Sequence, residues 1–379
     1  MNSNRTGGFP KELIRVAIVG TVGVPARYGG FETLAENLVR YSSARQLPCR
    51  LTVYCSKREY VDRPTSWFGA ELVYVPLRAN GVSSIPYDVI SLFSAVLRRN
   101  QVILLLGVSG AVALPVIRLL SRARIITNVD GMEWKREKWG RLAQWFLRFS
   151  ERIAVRFSQV IIADSDCVAK YLAETYGCAC EVIAYGGDHA LAESPIEKQE
   201  IALPGGYALA LCRIEPENNV AIILDAFSGR ATLPLVFIGN WNDTLLGRKL
   251  RKRYNGIRHL YLLDPIYEPH LLRAVRDNAV LYIHGHSAGG TNPSLVEMMH
   301  FGLPILAYDC GFNRYTTGNE ALFFNDAATL GCAMDGMTPA IQEEIGVRLR
   351  RIARTRYVWN LIGEAYFRIM GLNMVNVDL

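Results

Sequence analysis

The stretch HGHSAGGTNPSLVEMM, residues 284–299, joins a polar glycine-rich segment to the predicted start of a helix. Asn292 is a favoured N-cap residue and Pro293 a favoured first helical residue, so a helix is expected to begin here. Gly289 and Gly290 would let a phosphate group approach the backbone. Because helix N-termini attract anions, this stretch predicts an anion-binding site.

The same stretch carries hydroxyl groups and a carboxylate. Thr291 and Ser294 can donate hydroxyl hydrogen bonds, and Glu297 lies just over one turn inside the predicted helix. A carboxylate at that place can accept two hydrogen bonds from a sugar diol. The alternative is a capped helix with a solvated glutamate. The order strand, Gly-Gly, cap, helix and glutamate favours a ligand site.

A second glycine-rich stretch, GTVGVPARYGGFE at residues 20–32, follows the apolar run IRVAIVG. Gly29 and Gly30 precede a helix that is predicted to begin near Phe31, a place that favours an anion. The spacing is not GxGxxG, so the dinucleotide fingerprint is absent. Glu32 would either bind a ligand or complement the helix dipole. The alternative for the whole stretch is a strained turn without ligand.

Two further segments place charged side chains after predicted strands. In LCRIEPENN, Arg213 could clamp a diphosphate or form an ordinary surface salt bridge. Asn218 or Asn219 could cap the helix that follows. In NVDGME, Asp130 and Glu133 come just past a strand end and could position an acceptor hydroxyl.

The stretch from 134 to 157 is basic and aromatic. Basic residues outnumber the two acidic residues of this stretch, Glu137 and Glu151. The basic residues are Lys135, Arg136, Lys138, Arg141, Arg148, Arg152 and Arg156. Its apolar residues recur at helical spacing: Trp139, Leu142, Trp145, Phe146, Phe149 and Ile153. Such a helix either lies on an anionic membrane or is a core helix with a basic outer face.

Neither the cysteines nor an acidic triplet predicts a metal site. The eight cysteines are scattered without CxxC spacing, so we expect free, buried or half-buried thiols in a reducing compartment. DSD, residues 164–166, resembles the metal-binding DxD of some sugar transferases. Because it closes a strand and opens a helix, an N-cap is the simpler interpretation. We therefore expect no metal and no cofactor.

Short apolar runs alternate with helical patterns along the chain, which predicts an α/β protein with two doubly wound parallel sheets. The pattern is interrupted at 188–205, where charged residues, proline and a double glycine predict a linker. We expect an N-terminal Rossmann-like domain at 1–195, a second at 205–350, and C-terminal helices at 351–379 that pack back toward the first. Ligands of such sheets bind at the carboxyl ends of the strands, so two facing sheets would form a binding cleft.

Net charge and hydropathy limit the classes of partner and the cellular location that we expect. The formal net charge is +7 and the pI about 9.0, which suits an anionic partner. The basic residues gather on one helix and no nucleic-acid motif occurs, so nucleic acid is not expected. No signal peptide is recognisable, and the longest uncharged run, 101–117, is interrupted by glycine and proline. We expect a cytoplasmic protein, with the inner membrane face as an alternative.

Together these motifs resemble GT-B glycosyltransferases of family 4. VEMMHFGLPILAYD is similar to the signature helix and strand of that family, RIEPENN to its phosphate-clamp loop, and RYGGFE to its N-terminal glycine loop. The resemblance covers nearly the whole chain. Within the family, RYGGFETLAENLV, NVDGMEWKREKW and HGHSAGGTNPSLVEMM look most like bacterial rhamnosyltransferases of capsule and exopolysaccharide assembly.

The resemblance implies a retaining, metal-independent transfer from a nucleotide-diphosphate sugar, with dTDP-rhamnose as the best candidate, to a lipid-linked glycan. The residues implied in donor binding are Gly29, Gly30, Glu32, Arg213, Asn218, Gly289, Gly290, Thr291, Asn292, Ser294 and Glu297. Among them Arg213 would also stabilise the leaving diphosphate. Asp130 stands where the family often has a histidine, and Glu133 is the second acid near the reacting centre.

Two positions depart from the family pattern. The family usually has a glutamate where this chain has Gly289, and a lysine where it has Asn218. These departures keep two other functions open: a GT-B sugar-nucleotide epimerase, and a non-catalytic subunit that has kept the fold.

Overall fold

The computed structural model describes residues 13–26, 29–135, 139–192 and 202–372. Within these ranges the strands are β1 Ile14–Val19, β2 Cys49–Ser56, β3 Ser66–Trp67, β4 Ala70–Val75, β5 Val102–Leu106, β6 Arg124–Asn128, β7 Val160–Ala163, β8 Glu181–Val182, β9 Tyr207–Leu211, β10 Leu235–Ile238, β11 Leu260–Leu263, β12 Ala279–His284, β13 Ile305–Tyr308 and β14 Leu322–Phe324. Helices alternate with them, as the sequence pattern predicts.

The α-helices are α1 Gly30–Ala44, α2 Ser84–Leu97, α3 Leu114–Leu120, α4 Arg141–Phe157, α5 Asp166–Tyr176, α6 Val220–Ser228, α7 Leu245–Arg253, α8 Pro269–Asp277, α9 Pro293–Phe301, α10 Gly311–Thr317, α11 Ala327–Asp335, α12 Pro339–Arg356 and α13 Trp359–Ile369. Short 3-10 turns precede or follow several of them. None of the helices in the described residues is both long enough and apolar enough to cross a bilayer.

The first sheet has the strand order β3-β4-β2-β1-β5-β6-β7-β8. The β1–β2, β1–β5, β2–β4, β5–β6 and β7–β8 pairs are parallel, and the short β3–β4 pair is antiparallel. Successive strands run outward from β1 through β2 to β4, and in the other direction from β5 onward. The strand order therefore reverses between β1 and β5. These two strands are neighbours, and Val16 of β1 pairs with Val102 of β5. Such a reversal opens a crevice at the carboxyl ends of the strands.

The second sheet has the order β11-β10-β9-β12-β13-β14 and is parallel throughout. Its order reverses between β9 and β12. The core around this sheet is apolar and includes the fully buried Phe227, Phe237 and Trp241. The strands are nearly continuous apolar runs, which is typical of parallel strands covered by helices on both faces. The prediction of two doubly wound parallel sheets is confirmed.

The chain forms two compact units. The first takes in the described parts of Met1–Asn128, Ser150–Ile161 and Gly363–Leu379, and the second takes in Val129–Phe149 and Ile162–Ile362. Within the first unit the rings of Tyr41 and Phe367 stack at 5.7 Å, and Asn128 Nδ2 donates to Tyr366 Oη at 2.7 Å. Residues of α13 therefore pack in the first unit, which also contains β1.

Local details differ from the sequence prediction where the signal was short. The apolar run CEVIAYGG at 180–187 predicts a strand, but only the two residues of β8 form one. The sequence pattern does not predict α10 or α11. For α11 a signal existed, because Asp326 and Thr329 form a reciprocal capping box. The cysteines of the described residues are free, as expected, but Cys332 is exposed rather than buried.

Candidate functional site

The loops that follow β9 and β12 meet at the point where the strand order of the second sheet reverses. Asn218 Oδ1 and His286 Nδ1 lie 2.7 Å apart, and the Ser287 amide donates to the Glu217 carbonyl at 2.8 Å. The Asn218 Nδ2 group donates to the Arg213 carbonyl at 2.7 Å. The two predicted ligand loops therefore form one hydrogen-bonded structure at the place where open α/β sheets bind ligands.

Asp164 holds the glycine-rich segment after β12. Its Oδ2 accepts a hydrogen bond from the Thr291 amide at 2.9 Å, and its carbonyl accepts one from the Thr291 hydroxyl at 2.7 Å. A Cβ on Gly290 would lie only 1.9 Å from Asp164 Oδ2, so that only glycine fits beside this carboxyl group. The carboxyl group and the glycine fix the path of the segment together.

The electrostatic setting of Asp164 is unusual. Burial raises the pKa of Asp164 well above its usual range, and the negative charge of Asp130 raises it further. Its Oδ1 atom is buried and has no hydrogen-bond partner among the described residues. Burial and the neighbouring acid Asp130 both disfavour the ionised form of the Asp164 carboxyl group.

The segment that contains Asp130 packs against the same loop. Asp130 has a positive φ of 63°, and a Cβ on Gly131 would lie 2.5 Å from the carbonyl carbon of Gly289. Gly289 itself has a φ of +123°, which side chains rarely allow. The structure thus brings the predicted residue Asp130 next to the predicted glycine loop. Glu133 lies in a 3-10 turn and accepts a hydrogen bond from Trp139 Nε1 at 3.0 Å.

Helix α9 begins as its sequence predicts. The Asn292 side chain accepts hydrogen bonds from the Ser294 amide at 3.0 Å and from the Ser294 hydroxyl at 2.8 Å. Pro293 is the first helical residue. The hydroxyl groups of Thr291 and Ser294 are both used in these internal contacts, which fix the backbone at the start of the helix.

Glu297 is buried rather than solvated. Arg276 of α8 donates to its Oε2, and His189 Nε2 lies 3.3 Å from its Oε1. Trp359 Nε1, which can only donate, bonds to His189 Nδ1 at 2.8 Å, so the imidazole proton lies on Nε2 and is donated to Glu297. Burial alone would raise the pKa of Glu297, but Arg276 and His189 outweigh it and lower the pKa to about 2.

Arg213 is accessible. Its Nη1 atom lies 3.8 Å from Glu215 Oε1, and 41% of its side chain is exposed. An ion pair of this length and exposure contributes little to stability. The guanidinium group is therefore able to change partner without much cost.

The glycine loop after β1 lies at the reversal point of the first sheet. Gly29 is the N-cap residue of α1 and Gly30 its first residue, and the cap makes no side-chain hydrogen bond. Glu32 is buried, and its Oε1 accepts from the Val22 amide at 3.3 Å, which ties the loop to the helix. Arg27 and Tyr28 of the same motif lie outside the described residues.

Sequence reasoning missed four residues that shape the site. These are His189, Arg276, His284 and His286. Burial lowers the pKa of His284, the last residue of β12, to about 3, so that its imidazole is neutral. The sequence signals were the arginines of α8, of which Arg276 is the buried one, and two histidines at and just past the end of a strand. Asp164, Ser165 or Asp166 was expected to be an N-cap, and Ser165 is the cap of α5. The contact of Asp164 with Thr291 was not predicted.

The aromatic residues of α4 face solvent. Leu142, Trp145 and Phe149 are 86%, 66% and 46% exposed, and the rings of Trp145 and Phe149 stack at 5.6 Å. Arg141, Arg148, Arg152 and Arg156 are also exposed, whereas Leu147, Ser150 and Ala154 are buried. Arg136, Glu137 and Lys138 lie outside the described residues. Three of the apolar residues that were candidates for a core position, Leu142, Trp145 and Phe149, are thus exposed, whereas Phe146 and Ile153 are half-buried.

Comparisons with known proteins extend these observations. A family described as a domain of unknown function, DUF1972, matches residues 13–188. A comparison with curated protein sequences gave no significant match. Sucrose-phosphate synthase from Thermosynechococcus elongatus has a similar structure, with a TM-score of 0.79, 14% identity, and coverage of 94% of this chain and 98% of the other.

Two further solved structures have a similar extent. A glycosyltransferase from Rickettsia africae has a TM-score of 0.71 at 13% identity, covering 95% of this chain and 98% of the other. Anabaena HepE in complex with UDP-glucose has a TM-score of 0.71 at 14% identity, covering 94% and 99%. Because the similarity spans both sheets, the chain has the GT-B fold, a fold that by itself does not specify the reaction.

Proposed function

We propose that this protein is a glycosyltransferase that moves a sugar from a nucleotide-diphosphate donor to an acceptor hydroxyl. The observation that carries the proposal is the glycine-rich segment before α9, which hydrogen bonds fix in place where the strand order of the second sheet reverses. Arg213 and the N-terminus of α9 supply positive electrostatic potential there. The fold shared with HepE, which was solved with UDP-glucose, supports the same assignment.

In this mechanism the donor diphosphate contacts the backbone at Gly290 and Asn292 and the guanidinium of Arg213. Thr291 and Asn218 position these loops through their internal hydrogen bonds. Glu297 accepts hydrogen bonds from the ribose with lone pairs that Arg276 and His189 leave available. Arg213 stabilises the charge that develops on the leaving diphosphate. On the strength of the motif resemblance, we also propose donor-binding roles for Gly29, Gly30 and Glu32.

We infer that the sugar is transferred with retention of configuration. The bond between the anomeric carbon and the donor phosphate breaks, and the bond from the acceptor oxygen forms on the same face. The acceptor proton passes to the leaving phosphate, so no protein base is required. Asp130 and Glu133 orient the acceptor hydroxyl. Rhamnose from dTDP-rhamnose and a lipid-linked glycan of bacterial surface polysaccharide are our best assignments, on the strength of the motif resemblance.

The exposed face of α4 fits a lipid-linked acceptor. Leu142, Trp145 and Phe149 form an apolar patch, and the exposed arginines of the same helix match anionic headgroups. We propose that this helix binds an anionic membrane surface peripherally and so keeps the enzyme near its acceptor.

The test combines the purified protein with a panel of sugar nucleotides and lipid-diphosphate glycans, read by mass spectrometry. We expect transfer of one sugar, with dTDP-rhamnose the preferred donor, and we expect activity to persist in EDTA. A strict requirement for added divalent metal would contradict the mechanism. Conversion of the donor to a new sugar nucleotide without acceptor would instead identify an epimerase.

A non-catalytic binding subunit remains the second candidate. One observation favours it: the side chain at position 218 is fully engaged with Arg213 and His286, so it does not replace the lysine of the family. Nucleotide binding without turnover for every acceptor in the panel would establish this alternative.

A further inference from the structure

The first unit contains a basic cavity that the donor mechanism does not use. Its volume is about 590 Å³. The residues that line it are Lys57, Arg58, Tyr60, Val61, Arg63, Pro76 and Arg78. Four of these seven carry a positive charge, and no acidic residue is among them.

The cavity lies at the same edge of the first sheet as the N-terminal glycine loop. Lys57 directly follows β2 and Pro76 directly follows β4, and both strands run parallel to β1. Tyr60 joins the two features, because its hydroxyl donates to the Pro25 carbonyl at 2.9 Å. Its ring would lie 3.0 Å from a Cβ on Gly23. The wall of the cavity is therefore continuous with the loop that precedes α1.

Arg58 and Arg63 are each held by one hydrogen bond, and most of their N–H groups stay available to a ligand. Arg58 Nε donates to the Pro76 carbonyl at 3.4 Å, and Arg63 Nε donates to the Tyr60 carbonyl at 3.2 Å. Among the described residues neither Nη group of these two side chains has a hydrogen-bond partner. Arg78 makes only a long contact, 3.9 Å, with Glu59. A guanidinium that is tethered through one nitrogen can still bind phosphate oxygens with its other two.

We propose that this cavity binds the diphosphate of the acceptor, a diphosphate joined to a hydrocarbon chain. This inference rests on the proposed function, because it names the part of the acceptor that the first unit recognises. The cationic side chains neutralise the phosphate charges, and Val61, which is 86% exposed at the cavity, suits the adjoining hydrocarbon. The site is distinct in the chain from the donor loops after β9 and β12.

The experiment measures binding to the full-length chain by titration calorimetry. The probes are farnesyl diphosphate, farnesol, inorganic pyrophosphate and dTDP. The test variant is Arg58→Gln/Arg63→Gln. The matched control is Arg50→Gln/Arg124→Gln, which removes the same charge from exposed arginines near the amino-terminal ends of β2 and β6.

We expect farnesyl diphosphate to bind at least tenfold more tightly than farnesol, with an affinity that falls as salt is added. The test variant should lose at least tenfold of this affinity, whereas the control and the affinity for dTDP should be unchanged. Equal binding of farnesol, an equal loss in the control, or a parallel loss of dTDP binding would overturn the inference. Pyrophosphate that binds as tightly as farnesyl diphosphate would also overturn it, since the hydrocarbon would then play no part.

Failure of the proposed function gives a different result. If no sugar nucleotide supports transfer but farnesyl diphosphate binding still depends on Arg58 and Arg63, the transferase assignment is wrong and the cavity assignment stands. If transfer occurs and the test variant has an unchanged KM for the acceptor, the cavity assignment is wrong and the transferase assignment stands.

Discussion

At the scale of single residues, Asp164 and Glu297 are buried carboxyl groups with opposite electrostatic settings. Asp164 lies near another acid and its pKa is raised, whereas Glu297 contacts a guanidinium and its pKa is lowered. Their contributions to stability must therefore depend on pH with opposite sign.

For Asp164 the folded-state pKa lies above the unfolded value, so its contribution to stability is lost as the pH rises. Asp164→Asn keeps an oxygen for the Thr291 amide but cannot ionise. We expect the stability of this variant relative to wild type to increase as the pH rises above the usual aspartate pKa of about 3.9. The limiting slope is roughly 1.4 kcal/mol per pH unit. Urea unfolding at several pH values measures the difference, and a difference independent of pH would contradict a raised pKa for Asp164.

For Glu297 the folded-state pKa is about 2, below the usual 4.5, so its stabilisation is present above pH 4.5 and is lost as the pH falls toward 2. Arg276→Met removes the cation and leaves a buried charge. We expect a loss of about 3 kcal/mol in unfolding free energy at pH 7, and a smaller loss at pH 3.

The matched control for that change is Arg251→Met, which breaks an exposed ion pair with Asp264 in the same unit. Its expected effect is below about 1 kcal/mol. Equal effects of the two substitutions would show that the Arg276–Glu297 pair is not the source of stability.

Arg213 is predicted to act on the transition state rather than on folding. Arg213→Ala should lower kcat/KM for the donor by about 10²- to 10³-fold, because one electrostatic contact to the leaving diphosphate is lost. Its unfolding midpoint should stay close to wild type, since the Glu215 contact is long and exposed. Steady-state kinetics of Arg213→Ala, with the exposed Arg258→Ala as control, tests this prediction. If Arg213→Ala had the kinetics of the wild type, Arg213 would have no part in the mechanism.

How far the site could be predicted depended on the distance along the chain between its partners. Asn292 and Ser294 are close in sequence, and their cap was predicted from residue type alone. Asp164 and Thr291 are separated by 127 positions, and no local pattern links them. The Arg276–Glu297 pair depends likewise on how α8 packs against α9. Tertiary contacts of this kind decide which polar side chains are buried, and periodicity does not contain them.

At the scale of elements, α4 exposes the residues that a core helix would bury. Leu142, Trp145 and Phe149 recur at intervals of three and four residues, so they share one face. Exposed apolar faces with flanking arginines are typical of interfacial helices. The sequence pattern identified the helix, but only the structure shows which side of it contacts solvent.

Trp145→Ser/Phe149→Ser should therefore weaken binding to phosphatidylglycerol vesicles at low salt by about tenfold or more. The control is Val116→Ser/Leu119→Ser on α3, whose side chains are 47% and 86% exposed. Flotation of the wild type and both variants measures the effect. Absence of flotation for the wild type, or an equal loss in the control, would contradict membrane binding through α4.

At the scale of the whole molecule, the alternation of apolar runs and helices was sufficient to predict two parallel sheets. We expected helices at 351–379 to pack back toward the first domain, but the alternation does not show which residues they contact there. In the structure, described residues from 363 onward belong to the same unit as the first strands. Phe367 is buried and stacks on Tyr41, and a Cβ on Gly363 would lie 2.5 Å from the Tyr41 ring. Periodicity identifies a helix, whereas the partner of its apolar face is set by tertiary packing.

Phe367→Ala should lower the unfolding free energy by about 3 kcal/mol or more, because it leaves a cavity beside Tyr41. Leu361→Ala in the same helix, where the side chain is 45% exposed, should cost less than about 1 kcal/mol. Urea denaturation of both variants gives the comparison. A Phe367→Ala variant as stable as wild type would show that this contact does not support the first unit.

The assignment of Tyr366 and Phe367 to the first unit bears on how the chain folds during its synthesis. Phe367 and Tyr366 are the partners of Tyr41 and Asn128. During synthesis each partner emerges from the ribosome more than two hundred residues after the residue that it contacts. Until then the nascent amino-terminal sheet leaves an apolar patch uncovered, and we expect nascent chains that stop before Gly363 to be cleaved readily by protease and to bind chaperones. Chains released after Leu372 should resist both.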